Sequence, residues 1–328
     1  MNFLNYGVLN LRGEILSKYY DSYFDKILVD APCSGLGIIQ KKNEVNKWWS
    51  LERVNNLSEI QTKLLVSAIK MLKVGGELVY STCTLTPEEN EIIINRILNK
   101  YPVDVLEANI PMKHHNGLTV YKDEKLDRRL AKAIRIFPWE ADSDGFFLVK
   151  LKKTDETKPL EQLKWKKHFQ MTIYNSNDKI IYQKLKSLAE EFGIGMDVFS
   201  KYKFFIKRND IYFSSFEWNE DNLGLFHRVG TKFGMIDKNG NISLHSFAAQ
   251  ILQDSITKNI YKIKSLDELK LYLMGALIPV NDLSPGQYAI KFNDFILGTG
   301  VVIKNGLKSR YPRSSRTQTI RIKGQKVQ

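Results

Sequence analysis

Two periods of apolar spacing alternate along this chain, and the switches between them mark out its elements. Phe24, Ile27, Leu28 and Val29 make a short apolar run closed by Asp30, which predicts a buried strand over residues 24–30. From Ser58 to Lys73, Ile60, Leu64, Leu65, Ala68, Ile69 and Leu72 recur at helical spacing, and Gly75-Gly76 is placed to cap that helix. Glu77-Leu78-Val79-Tyr80 reads as the next strand. Thr86-Pro87-Glu88-Glu89 then predicts a helix start, with Thr86 as N-cap, proline at the first position and glutamate three residues after the cap. Ile93, Ile94, Ile97 and Leu98 supply that helix with a buried face. Strand, helix, strand, helix in this order predicts a parallel sheet and an α/β domain.

Farther along the texture changes. Asp144-Gly145 reads as a turn before a strand through Phe146-Phe147-Leu148-Val149-Lys150, and the polar stretch 152–159 reads as a linker. Residues 202–213 predict a hairpin around Asn209-Asp210. Ser265 opens a short helix ending near Gly275, and strands are expected over 288–292 and 295–303. There is no internal repeat and no low-complexity tract.

Composition bounds the class. At 328 residues, 43% hydrophobic and 26% charged, the chain has room for two or more domains with their own cores. It holds no apolar run near the roughly 18 residues of a membrane span. Its first residues, Met1-Asn2-Phe3-Leu4-Asn5-Tyr6, lack the basic start and apolar stretch of a signal peptide. A cytoplasmic protein with reduced thiols is therefore expected, and no metal site is.

Charge adds a partner. Forty-nine Lys and Arg against 36 Asp and Glu give +13, an excess that fits either a solvated basic surface or a polyanionic ligand. Its distribution favours the ligand. After Asp294 no acidic residue occurs, whereas Lys304, Lys308, Arg310, Arg313, Arg316, Arg321, Lys323 and Lys326 follow. That tail is a basic face or arm of the kind that contacts nucleic-acid phosphates.

The candidate chemistry lies in two short loops. The chain has only two cysteines, in Asp30-Ala31-Pro32-Cys33-Ser34-Gly35 and in Ser81-Thr82-Cys83-Thr84, and each loop follows a predicted strand. Loops at the carboxyl ends of strands are where open α/β sheets gather ligands. A thiolate suits addition to an electron-poor ring carbon, and Cys83 would lie beside a helix N-terminus able to lower its pKa. Asp30 is placed to bond a polar ring edge or to act as an acid. Each residue also has a plain structural reading: cysteine as a small buried apolar group, Asp30 as the cap of a turn. Gly35-Leu36-Gly37 lacks the third glycine of a dinucleotide loop. A thiol-redox function has little to rest on, since 50 residues separate the cysteines and no Cys-x-x-Cys occurs.

Taken together these residues resemble the Sun/Nop family of RNA cytosine-5 methyltransferases. Asp-Ala-Pro-Cys-Ser-Gly at 30–35 is similar to the family's fourth motif, and residues 75–84 with Pro87-Glu88-Glu89-Asn90-Glu91 are similar to its sixth. A stretch containing Trp48 and a helix separates them. Arg135-Ile136-Phe137-Pro138-Trp139 followed by Asp144-Gly145-Phe146-Phe147 resembles the family's closing segment, with Trp139 where histidine is more usual. Beyond the linker, residues 225–230 and 243–248 resemble the middle domain of the bacterial ribosomal-RNA branch. Residues 271–275, 286–288, 297–300 and 306–313 resemble its terminal PUA-like RNA-binding domain.

The resemblance implies an incomplete Rossmann-like methyltransferase domain over 1–153, a middle α+β domain over 154–255 and a β-rich PUA-like domain over 256–328. It implies S-adenosylmethionine as cofactor and RNA as partner, ribosomal RNA ahead of transfer RNA. Cys83 would attack carbon-6 of a flipped-out cytosine. Cys33 would assist loss of the carbon-5 proton and release of the adduct, and Asp30 would hold the cytosine edge near the cofactor. The rival assignment makes Cys33 the nucleophile, as in related DNA enzymes with a Pro-Cys motif. The tail residues Lys304, Lys308, Arg310, Arg313 and Arg316 would contact RNA phosphates.

One part of the family pattern is not found. The glycine-rich cofactor loop and the acid after the second strand do not precede Asp30, before which only 29 residues stand. Asn10-Leu11-Arg12-Gly13 occupies the place of an acidic third motif. The expectation is that Met1 lies inside the ancestral domain, with about 100 residues or more missing by ordinary domain size. Either an upstream polypeptide completes the domain or the chain is a fragment. Alone it should be inactive, and the alternative function is an RNA-binding module with a vestigial methyltransferase half.

Overall fold

A computed structural model describes residues 3–38, 50–158, 171–220 and 223–317. Trp48 and the tail residues Arg321, Lys323 and Lys326 lie outside the described residues. The chain forms two compact units, one of Leu11–Trp165 and one that joins Met1–Asn10 to Lys166–Gln328. The first strand, β1 (Gly7–Leu9), thus belongs to the second unit, where the sequence expectation had placed it with residues 1–153.

In the unit of Leu11–Trp165, β2 (Phe24–Asp30) matches the predicted strand. Helix α1 (Leu51–Met71) starts seven residues earlier than expected, because Ser50 is its N-cap and its hydroxyl accepts the Arg53 N–H at 3.1 Å. Its buried stripe includes Val54, Ser58, Gln61, Leu65 and Ala68, while Ile60 faces outward. The glycine pair does not cap this helix. Leu72 already has extended backbone, and β3 (Leu72–Thr82) starts there. Gly75, at φ 82°, instead takes up a bulge, since the pairing of β2 with β3 jumps from Phe24–Leu72 to Lys26–Glu77.

Helix α2 (Glu91–Lys100) buries Ile93, Ile94, Ile97 and Leu98 as expected, after a single 3-10 turn over Pro87–Glu89. Thr86 makes no side-chain cap to that turn's backbone. Its hydroxyl donates to the Glu89 carboxylate at 2.8 Å instead. Strands β4 (Val103–Leu106), β5 (His115–Asn116), the β6–β7 hairpin (Val120–Tyr121, Glu124–Lys125) and β8 (Ile134–Ile136) follow. A short helix, α3 (Pro138–Ala141), leads to β9 (Phe146–Lys153), which extends into the stretch expected to be linker.

The sheet order is β2-β3-β9-β8-β5, with β4 also on β9. Only β2 and β3 run parallel; β9 is antiparallel to β3, β4 and β8. The predicted parallel pairing is thus present at β2–β3, within a sheet that is mixed as a whole among the described residues. Among the described residues β2 is its edge, where Leu28 is 68% exposed. Leu65, Ile69, Leu78, Tyr80, Ile94, Phe147 and Val149 form the core between helices and sheet.

The second unit carries two five-stranded sheets. The first has the antiparallel order β10 (Thr172–Asn175), β11 (Tyr202–Lys207), β12 (Asp210–Ser215), β14 (Thr231–Ile236) and β15 (Ile242–Leu244). Helix α4 (Lys179–Phe192) packs into the same core as Phe199, Phe204, Phe213 and Phe233, whose rings meet edge to face. The predicted hairpin is β11–β12, turning at Arg208-Asn209. Strand β13 (Phe226–Val229) pairs with β1. After α5 (Ser246–Ile251) comes β16 (Ile260–Lys262), then α6 (Leu266–Met274), which has the expected Ser265 cap and ends at Gly275 with φ 80°. The last sheet combines β16 with β17 (Leu277–Ile278), β18 (Gly286–Phe292), β19 (Phe295–Ile303) and β20 (Gly306–Ser309).

Candidate active site

The parallel pairing of β2 with β3 is what makes the site. It sets Asp30 opposite Ser81, so the two cysteine loops leave adjacent strand ends side by side. Backbone bonds lace them together: Ala31 N–H donates to Ser81 O at 3.1 Å, and Gly37 N–H to Cys83 O at 2.9 Å. Gly145 N–H in turn donates to Gly37 O at 2.8 Å. The loops bring Cys33 Sγ to 2.7 Å from Cys83 Sγ, and both are free thiols, partly buried. Asp30 is exposed, and its Oδ1 accepts the Ser81 hydroxyl at 3.2 Å.

The two thiols differ in acidity. The hydrogen bond from Cys33 pulls the Cys83 thiol down to about 7, while burial and the charges of Asp30 and Glu89 oppose that shift. The same bond, and then burial, raises Cys33 above its usual range. Of the two thiols Cys83 is thus the more acidic and Cys33 the less acidic. The helix expected after Cys83 begins at Glu91, and the largest influence lowering the Cys83 pKa is the Cys33 thiol.

Beneath the thiols lies a polar network that the sequence reading passed over. Glu89 is fully buried, and its carboxylate accepts from the Ser34 N–H and from Gln61 Nε2, each at 2.9 Å. It also accepts the hydroxyls of Ser34 and Thr86. Gln61 reaches in from α1 and also donates to Pro32 O at 2.7 Å. Asn90 Nδ2 donates to Thr84 O at 3.0 Å, so the Cys83 loop is held from below as well. Arg135 of β8 and Glu91 form an ion pair at 2.6 Å, both buried, and Arg135 also donates to Leu85 O. Glu89 and Glu91 stood in the quoted sixth motif. The signal that marks them is a carboxylate one turn from a loop rich in hydroxyl donors. Trp139, by contrast, is 67% exposed and stacks on Phe137 at 4.9 Å.

For S-adenosylmethionine the described residues offer the exposed Asp30 carboxylate beside the open edge at Leu28. One exposed acid and one exposed apolar edge do not enclose a cofactor, so on their own these residues do not fit it. The five tail cations are all exposed. Arg310, Arg313 and Arg316 gather around one cavity of about 260 Å³ with Tyr311 and Gln287, whereas Lys304 and Lys308 do not line it. Among the described residues no three His, Cys, Asp or Glu side chains come together as metal ligands, and no helix is long and apolar enough to cross a membrane.

Comparison with known proteins adds a likeness to a family. Residues 1–152 match the family described as 16S rRNA methyltransferase RsmB/F. A ribosomal RNA small subunit methyltransferase F of Vibrio cholerae is 28% identical over 314 residues, covering 94% of this chain and 63% of its own length. A tRNA (cytosine(49)-C(5))-methyltransferase of Pyrococcus abyssi is 37% identical over 134 residues, covering 41% of this chain and 43% of its own. A crystal structure described as a methyltransferase homolog protein from Pyrococcus horikoshii is 35% identical, covering 40% of this chain and 39% of its own, with a TM-score of 0.35. The chain therefore spans less than two thirds of the curated relatives' length. Its motif-bearing stretch, residues 1–152, is similar to the RsmB/F methyltransferase family.

Proposed function

We propose that this chain carries the base-attacking half of an RNA cytosine-5 methyltransferase, with Cys83 as nucleophile. The observation that supports this most is the 2.7 Å Cys33–Cys83 pair at the ends of two parallel strands, where Cys83 is the more acidic thiol. A thiolate at Cys83 adds to carbon-6 of an extruded cytosine; the S–C6 bond forms and the C5–C6 π pair moves to carbon-5, making it the nucleophile. Once carbon-5 is methylated, its proton would leave to a Cys33 that has first given up its own, and the C5–H pair would restore the C5–C6 double bond. The S–C6 pair would return to Cys83 to free the RNA, while Asp30 holds the base edge. S-adenosylmethionine is the methyl donor of the complete family domain, and no transfer step is derived from the residues described.

Ribosomal RNA is the substrate this reading favours, from the small-subunit relative that runs along 94% of the chain. The division into a methyltransferase part (1–153), a middle domain (154–255) and a PUA-like domain (256–328), the phosphate-contacting role of the exposed tail cations and a cytoplasmic location belong to the same proposal. The free β2 edge with exposed Leu28 is where a further polypeptide segment would add to the sheet. That open edge also supports the second reading, an RNA-binding module with a vestigial methyltransferase half.

Covalent trapping separates the assignments. RNA containing 5-azacytidine, whose carbon-6 adduct forms without a methyl donor, should be captured by the parent and by Cys33→Ala, and not by Cys83→Ala. Capture by Cys83→Ala but not by Cys33→Ala would reverse the roles. No capture by any of the three would favour the binding module.

A further inference from the structure

One cavity is built wholly from described residues of the second unit. It has a volume of about 670 Å³, within the usual range of ligand sites. Its walls combine Tyr6, Tyr212 and Phe247 with Arg228, Lys232 and Arg313, and no carboxylate lines it.

Its parts are held in place by the fold. Tyr6 is fixed because Gly230 N–H donates to Tyr6 O at 2.7 Å and β1 pairs with β13 immediately after it. The Arg228 guanidinium lies over the Tyr6 ring at 5.8 Å. Tyr212 comes from the centre of the first sheet, and Lys232 opposite it is oriented by Asp210 at 2.8 Å. His245 packs its ring 5.1 Å from that of Phe247, and its Nδ1 accepts the Phe247 N–H. Burial, and then Lys232, push His245 down to about 4, so at neutral pH its Nε2 carries the hydrogen of an uncharged ring. Arg313 adds a cation from the acid-free tail.

We infer that this cavity is a nucleotide-binding site for single-stranded RNA, in which a base inserts among Tyr6, Tyr212 and Phe247 and its phosphates meet Arg228, Lys232 and Arg313. This rests on the RNA-binding reading above and goes beyond it by giving unit and residues. Aromatic faces accept any base, and cations at the rim track the backbone, which together make a sequence-tolerant single-strand site. Such a pocket would hold an unpaired segment of substrate and leave the choice of target base to the cysteine site.

The test uses the full chain and a short fluorescein-labelled oligouridylate, read by fluorescence anisotropy across a salt series. Tyr212→Leu and Phe247→Leu should each weaken binding about tenfold or more with the salt slope unchanged. Arg313→Ala should weaken it and lower the salt slope. Ultraviolet crosslinking of the same oligomer carrying 4-thiouridine to the unmutated chain should map to Tyr6, Tyr212 or Phe247, a readout that does not depend on any variant folding. Parent-like affinity of both aromatic variants, or crosslinks that map elsewhere, would overturn the inference and leave RNA binding intact. If the parent chain does not bind RNA at all, the RNA-binding reading fails and this inference fails with it.

Discussion

Cys83 owes its character to neighbours more than to its own loop. A second thiol lies 2.7 Å away, and beneath both loops the buried Glu89 gathers four donors. Glu89→Gln keeps the volume but turns one acceptor into a donor facing Ser34, Gln61 and Thr86. An unsatisfied buried polar group costs about 1–3 kcal/mol, more when a charge was involved. Chemical denaturation of this variant should show a loss of about 2 kcal/mol or more, together with faster alkylation of Cys83, since the charge that opposes its thiolate is gone and its loop loosens. A stability equal to the parent's would show that Glu89 is not the loop's anchor. This residue was hidden in the sequence because charged side chains are rarely buried whole. Gln61 was hidden likewise: it occupies an apolar-stripe position of α1 with a polar side chain that the site uses. Asp30 and both cysteines were legible, since each ends or follows an apolar run.

At the scale of elements, strands such as β2 and helix faces such as that of α2 were readable from apolar spacing alone. Strand direction was not. Nothing local in Phe146–Lys153 says that it runs antiparallel to β3, because pairing is decided by the path between them. Nor could spacing show that Gly7–Leu9 would pair with Phe226–Val229, a contact across most of the chain. Gly75-Gly76 has the composition of a cap and the role of a bulge, and both need positive φ. Two glycines make that distinction measurable. Gly75 has φ 82° and nothing within 4 Å of where a Cβ would stand, so Gly75→Ala should cost about 1 kcal/mol of backbone strain alone. Gly230 has φ 65° and the backbone carbonyl of Phe213 in the Cβ position, so Gly230→Ala must move a sheet strand. Thermal melts should show a loss several times larger at Gly230; equal losses would contradict the packing described.

On the scale of the whole molecule, the chain combines a sheet with an open edge, a thiol pair at its strand ends, and a second unit whose cavity is lined by aromatic and cationic side chains. The exposed Asp30 and Leu28 predict that this chain alone binds S-adenosylmethionine weakly or not at all. Titration calorimetry giving a micromolar dissociation constant would overturn that expectation.

The central claim is that Cys33 holds Cys83 as the thiolate that attacks. Alkylation by iodoacetamide, followed by peptide mass spectrometry across pH, tests it most directly. Cys83 should react first, its rate rising through a midpoint near pH 7 because the thiolate is populated above that value. Cys33→Ala should move that midpoint up towards the ordinary thiol value of 9.0. Preferential alkylation of Cys33, or a Cys83 midpoint near 9.0 in the unmutated chain, would contradict the account.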